Sequence, residues 1–190
     1  MPELWDDFSL DAHWRNREEG QPFFAFFNLT QTHESSLFRD EVTIVKPEEI
    51  ELPPYLPDTQ AIREDFARHY TAMDRSEKAI RKLLDELAAD GLIDSTVILQ
   101  ISDHGGTTPR SKRFIYDSGN QVPLVIKIPK NLTGERSWPE PGRISTAVSL
   151  IDFAPTICDI AGTEKPETMI GSSLLGILPA DQDRMVFTGR

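Results

Sequence analysis

Asp103-His104 is the pair in this 190-residue chain best placed to do chemistry. A carboxylate and an imidazole side by side offer an oxygen and a nitrogen donor to a divalent cation. Gly105 and Gly106 follow at once, so the backbone can turn sharply and leave space for something to approach. Beyond the glycines runs Thr107-Thr108-Pro109-Arg110-Ser111-Lys112-Arg113, the one dense positive patch in a chain of net charge -11. Arg110 and Lys112 there could hold the oxygens of a phosphate or sulfate. His33 is a further candidate, because it too follows an apolar run. Taken singly, each residue also has a plainer role. Asp103 could cap the next segment, His104 could be a turn residue, and the basic stretch could be a solvated loop.

The elements that must position these residues can be read from hydrophobic patterning. Val97, Ile98, Leu99 and Ile101 form a short β-branched and apolar run that suits a strand buried on both faces of a parallel sheet. Open α/β sheets place ligands at the carboxyl edge of such strands. Pro22 to Asn28 is a second run of high β-propensity, and Val122 to Ile128 a third. Asp58 to Asp90 predicts a long helix with an apolar stripe through Ile62, Phe66, Tyr70, Met73, Ile80, Leu83, Leu84 and Leu87. Asp58 is its expected N-cap and Gly91 its C′ glycine. Strand, helix and strand in that order predict a βαβ unit with a parallel pair. Pro47, Pro53, Pro54 and Pro57 mark a loop crossing the surface. A polar loop is expected over 130–143, and a second helix from Ser149 or Asp152 to Gly162 carries Pro155 in its first turn.

Bulk properties narrow the function classes. The net charge argues against a nucleic-acid or anionic-membrane surface. No run is long enough to span a membrane, and no apolar leader segment is visible at Met1. The single cysteine, Cys158, allows no internal disulfide and is expected as a core thiol. The compartment stays open.

In combination these features resemble the sulfatase family of the alkaline phosphatase superfamily, with a flavour of its heparan N-sulfatase branch. The likeness rests on the strand ending in Asp103-His104-Gly105-Gly106, Lys112 eight positions after His104, and Tyr116 to Val125. Pro22-Phe23-Phe24 running to Thr32-His33, and Val148 to Ile157, add to it. It covers nearly the whole chain from about Pro22 onward. What the resemblance implies is an α/β fold, a parallel-rich sheet flanked by helices, present here incompletely. Residues 1–190 would be a partial sulfatase domain.

The implied activity is metal-assisted hydrolysis of a sulfuric ester or sulfamate. Asp103 and His104 would bind a divalent cation, calcium by family habit, although imidazole suits calcium poorly. Lys112 and His33 would reach the sulfate or its leaving oxygen as catalytic residues, with Arg110 beside them as a substrate contact. A hydrated formylglycine would attack sulfur. The Cys/Ser-x-Pro-x-Arg motif that carries it in the family is absent here, and Cys158 lies in a different context. The early aspartate pair and the early Lys and His are also missing. This segment is therefore expected to contribute metal and sulfate contacts but not the nucleophile, and to be inactive alone. The expected partner is a sulfated small molecule or glycan, and an exposed truncation surface would favour self-association. Two alternatives stand beside this one: a phosphoesterase or phosphonate hydrolase of the same superfamily, and a non-catalytic truncated product.

Overall fold

In the computed structural model, residues 5–39, 42–129, 140–177 and 183–188 are described. The chain forms two compact units, Met1–Thr30 and Gln31–Arg190.

The first unit is built on aromatic packing. Trp14 is buried, with the Phe23 and Phe27 rings at 6.2 and 5.7 Å. Arg17 ties the unit together: it donates to the carbonyls of Trp14 and Gln21 and lies over the Phe23 ring. Residues 22–28, expected as a buried strand, form no strand. No described segment pairs with them, and an unpaired run cannot satisfy its backbone as a sheet does. Phe23 and Ala25 are partly covered, while Phe24 and Phe26 stand out to solvent.

The second unit is organised on α1, Gln60–Ala89, a 30-residue helix. It runs unbroken for about 45 Å at 1.5 Å per residue. Thr59, not Asp58, is the N-cap, with its hydroxyl accepting from the Ile62 amide. Asp58 is taken up instead by Arg63, at 2.5 and 2.8 Å. Arg63 also reaches the Ile50 carbonyl. Gly91 ends the helix in the left-handed conformation, φ 71°.

The proline-rich stretch is not a free surface loop. Val45, Ile50, Leu52 and Leu56 pack on Ile62, Phe66 and Ala67 of α1 to form the hydrophobic core. Thr71 secures the same contact. Its hydroxyl donates to Ala67 and accepts from the Ile44 amide.

The sheet corrects the expected topology. β1 (Ile98–Ile101) and β2 (Leu124–Lys127) pair antiparallel, with Ile98 opposite Lys127 and Ile101 opposite Leu124. They form a two-stranded sheet, not a parallel-rich one. The cause lies in the connection. The Gly105 amide donates to the Gly119 carbonyl at 2.9 Å, so the chain returns at the same end by which it left. Nor is β1 buried on both faces: Gln100 and Ile101 are exposed, as is Val125 opposite Gln100. A two-stranded ribbon has too little cover to bury both sides. The expected βαβ unit is likewise not formed among the described residues.

Within the return connection lies α2, Asp117–Asn120, a single turn. α3, Phe153–Ala161, ends at Gly162 with φ 70°, and Pro155 sits in its first turn as expected. Its anchor is Asp152, which is fully buried. That carboxylate accepts from the Ser149 and Ser172 amides and pairs with Arg184 at 2.8 Å. Thr156 then accepts from the Leu174 amide at the start of α4, Leu174–Ile177. Cys158 is only half-buried, so it is less of a core thiol than expected. The polar loop expected over 130–143 lies mostly outside the described residues.

Candidate active site

The turn after β1 is shaped by short-range hydrogen bonds. The Ser102 hydroxyl donates to the His104 carbonyl at 2.6 Å. His104 Nδ1 lies 2.7 Å from the Gly105 carbonyl. A carbonyl can only accept, so Nδ1 bears a proton, and in the neutral ring Nε2 keeps its lone pair. Nε2 lies 3.5 Å from Asp103 Oδ2, and the Asp103 carboxylate is 83% exposed.

That donor pair fits a divalent cation. Two donors about 2.4 Å from one ion, at near right angles, stand about 3.4 Å apart. The Asp oxygen suits calcium, while the imidazole nitrogen suits a softer ion. Among the described residues, no group of three or more His, Cys, Asp or Glu side chains gathers to hold a metal. Asp103 and His104 by themselves offer two donors.

Room at the glycines is used by the protein itself. A methyl group on Gly105 would overlap the Ser118 carbonyl oxygen and come within 2.6 Å of Ser111 Oγ. Gly105 therefore admits backbone, not a ligand. At Gly106 the nearest atom would be Nε2 of His69, at 3.1 Å.

Lys112 is fixed from two sides. Its amide donates to the Gly106 carbonyl at 3.0 Å, which ties it two residues beyond His104. Its ammonium lies 3.4 Å from Glu34 Oε2. Arg113 reaches the same carboxylate at 3.3 Å. The hydrogen bond from Lys112, joined by the charges of Lys112 and Arg113, holds the Glu34 carboxyl below the usual range.

Glu34 directly follows His33, so the ion pairs bring the His33 segment to the Lys112 loop. His33 is the N-cap of the 3-10 turn Glu34–Phe38. Its Nδ1 accepts from the Ser35 amide at 3.3 Å. The neutral ring therefore carries its proton on Nε2, on an exposed side chain able to donate.

Arg110 is placed differently from Lys112. Its guanidinium lies between the rings of Tyr55 and Tyr116, at 4.5 and 4.2 Å. A backbone bond thus ties Lys112 to Gly106, two residues beyond His104, and Glu34 links the His33 segment to Lys112.

Two neighbours escaped sequence reasoning. Glu34 was legible as an acid beside His33, yet only its pairing with Lys112 gives it meaning. His69 lies within the α1 pattern, one residue before Tyr70. Its Nδ1 is 3.4 Å from the Thr107 hydroxyl, and burial lowers its pKa.

The turn, its donors and its basic loop define a class of anion-handling α/β protein, and comparison with known proteins names it. The Sulfatase family matches residues 5–163. This chain belongs to the sulfatase family, whose fold is of the alkaline phosphatase-like α/β class. It is 35% identical to an ulvan-active sulfatase of Formosa agariphila, over 90% of this chain and 34% of that protein. It is 31% identical to human N-sulphoglucosamine sulphohydrolase, over 71% of this chain and 28% of the relative. An N-acetylglucosamine-6-O-sulfatase of Bacteroides thetaiotaomicron is 34% identical over 63% of this chain and 20% of its own length. The chain thus spans about a third or less of these relatives. No helix among the described residues is long and apolar enough to cross a membrane.

Proposed function

We propose that the protein hydrolyses sulfuric esters or sulfamates, and that these 190 residues supply part of the centre that binds the sulfate. One observation carries the reading: the Lys112 amide is tied to Gly106, two residues beyond His104, and its ammonium already holds an anionic oxygen, that of Glu34. A sulfate oxygen in place of the carboxylate would meet the same charge.

In this reading Lys112 neutralises a sulfate oxygen, and Arg110 adds positive charge to the same loop. His33, with its proton on Nε2, donates to the leaving oxygen or nitrogen. Asp103 and His104 hold a divalent cation, calcium by family habit. When bound, that cation would stabilise the charge on the sulfate oxygens. The attacking formylglycine would come from outside these residues, in which no Cys/Ser-x-Pro-x-Arg segment occurs. Residues 1–190 then act as part of a sulfatase domain. The exposed Phe24, Phe26, Phe38 and Ile170 would be covered by the remainder of that domain or by self-association.

A sulfated glycan is the substrate class we favour. Two of the relatives are named for sulfated or N-acetylated glucosamine.

The test pairs aryl sulfate with aryl phosphate on the full-length protein, with Lys112→Ala and His33→Ala variants. Sulfate turnover, cut by about two orders of magnitude in each variant, is expected. Preference for the phosphate ester would assign a phosphoesterase. Turnover unaffected by either variant would remove both residues from the site.

A further inference from the structure

Lys112 sits between two residues with left-handed backbone. Arg110 has φ 66° and Arg113 has φ 73°, and they are the only non-glycine residues with positive φ among those described. Side chains other than glycine avoid this region because Cβ crowds the backbone. Such a conformation persists only where the surroundings impose it.

The surroundings of Arg110 are specific. Its guanidinium is stacked between Tyr55 and Tyr116, and its carbonyl accepts from the Ser118 hydroxyl at 2.6 Å. The next residue, Ser111, is buried and donates to the Ser118 carbonyl. Tyr55 belongs to the proline-rich segment, whose neighbour Leu56 packs on the α1 core. The basic loop is therefore fastened through Arg110 to the segment that packs on the α1 core. The guanidinium is in contact with both aromatic rings.

We infer that Arg110 is a positioning residue: its clasp between Tyr55 and Tyr116 holds the strained loop that presents Lys112, and it acts on the bound anion through Lys112. This deepens the sulfate-binding reading above and rests on it. It replaces direct contact with the substrate as the role of Arg110. It also makes Tyr55, on a different segment, part of the same device.

The two roles separate under substitution. A direct anion contact is mostly preserved by Arg110→Lys, which keeps the charge. A clasp is not, because an ammonium has no plane to stack. Tyr55→Leu touches no charge at all, so it disturbs the anion only if the clasp matters.

The experiment measures amide hydrogen exchange at Gly105 and Lys112, without ligand, and the affinity for inorganic sulfate, on the same full-length protein. Arg110→Lys and Tyr55→Leu are each expected to speed exchange at Lys112 and weaken sulfate binding by roughly 5- to 30-fold. Tyr55→Phe, which keeps the ring, should match wild type, and the double variant should be no worse than either single one. Wild-type exchange in Tyr55→Leu, or full retention of protection and affinity in Arg110→Lys, would overturn the proposal. Wild-type protein that binds no sulfate would sink the anion reading, and with it the role through Lys112. Exchange alone would then report only that the loop is fastened.

Discussion

Replacing Gly105 by alanine tests how the site is assembled. Its added methyl group would overlap the Ser118 carbonyl oxygen, lie 2.6 Å from Ser111 Oγ and lie 2.8 Å from the Gly119 Cα. Two of these three atoms are backbone, and Ser111 is buried, so no flexible side chain can swing aside. Overpacking of this kind costs about 1–3 kcal/mol. Separating the strands of the connection also loses the bond from the Gly105 amide to the Gly119 carbonyl, about 1 kcal/mol more. The sum is about 2–4 kcal/mol of stability. Gly106→Ala is the control. Its methyl group would meet first the ring of His69, at 3.1 Å, which is the end of a side chain and can give. That variant should lose under about 1 kcal/mol. Urea unfolding of both variants, with the slope held constant, reads the difference. Sulfate affinity should fall in Gly105→Ala as well, because the Lys112 amide hangs on Gly106. A Gly105→Ala protein as stable as Gly106→Ala would refute the close packing of the turn, and the positioning of Lys112 with it.

Asp152→Ala strips the buried carboxylate from Arg184 and from two amides, and is expected to cost about 3–5 kcal/mol. A loss under about 1 kcal/mol in thermal unfolding would show that the pair is not closed in solution. Burial depresses the pKa of His69, so the unfolded chain takes up a proton that the folded chain refuses. Stability should therefore be complete above about pH 6.5 and fall as pH drops from there towards the depressed folded value. The slope should flatten in His69→Gln, measured as unfolding free energy between pH 5 and 8; an unchanged slope would assign the effect elsewhere. Glu34→Gln frees Lys112 and Arg113 of their carboxylate and should tighten sulfate binding severalfold by calorimetry. Weaker binding would mean that Glu34 orients Lys112 instead of competing for it.

What could be read from the residues was what depends on a single segment. The α1 helix, the glycine that ends it, Pro155 in the first turn of α3 and the glycine after it all follow from local pattern and backbone preference. Of the expected α1 stripe, however, Phe66 and Leu87 are buried while Tyr70, Met73 and Leu84 are exposed. What could not be read depends on pairing. A run such as Pro22 to Asn28 has the composition of a strand, but composition cannot supply a neighbour, and no described segment pairs with it. β1 and β2 were visible as strands, yet their direction depends on how the connection between them folds back, as at the Gly105–Gly119 bond, which leaves no trace in hydrophobicity. The site shows the same division. Asp103, His104 and Lys112 stood out by type and spacing, because a metal donor and an anion contact would need such groups. Glu34, Tyr55 and His69 acquire a role only when folding brings them to that loop from other segments. Two glycines in sequence suggested space for a ligand, and the structure fills that space at Gly105 with the Ser118 carbonyl. The closeness that glycine permits is therefore used to fasten the loop from within. It follows that the anion site should be more sensitive to changes in what grips this loop than to changes of surface charge around it.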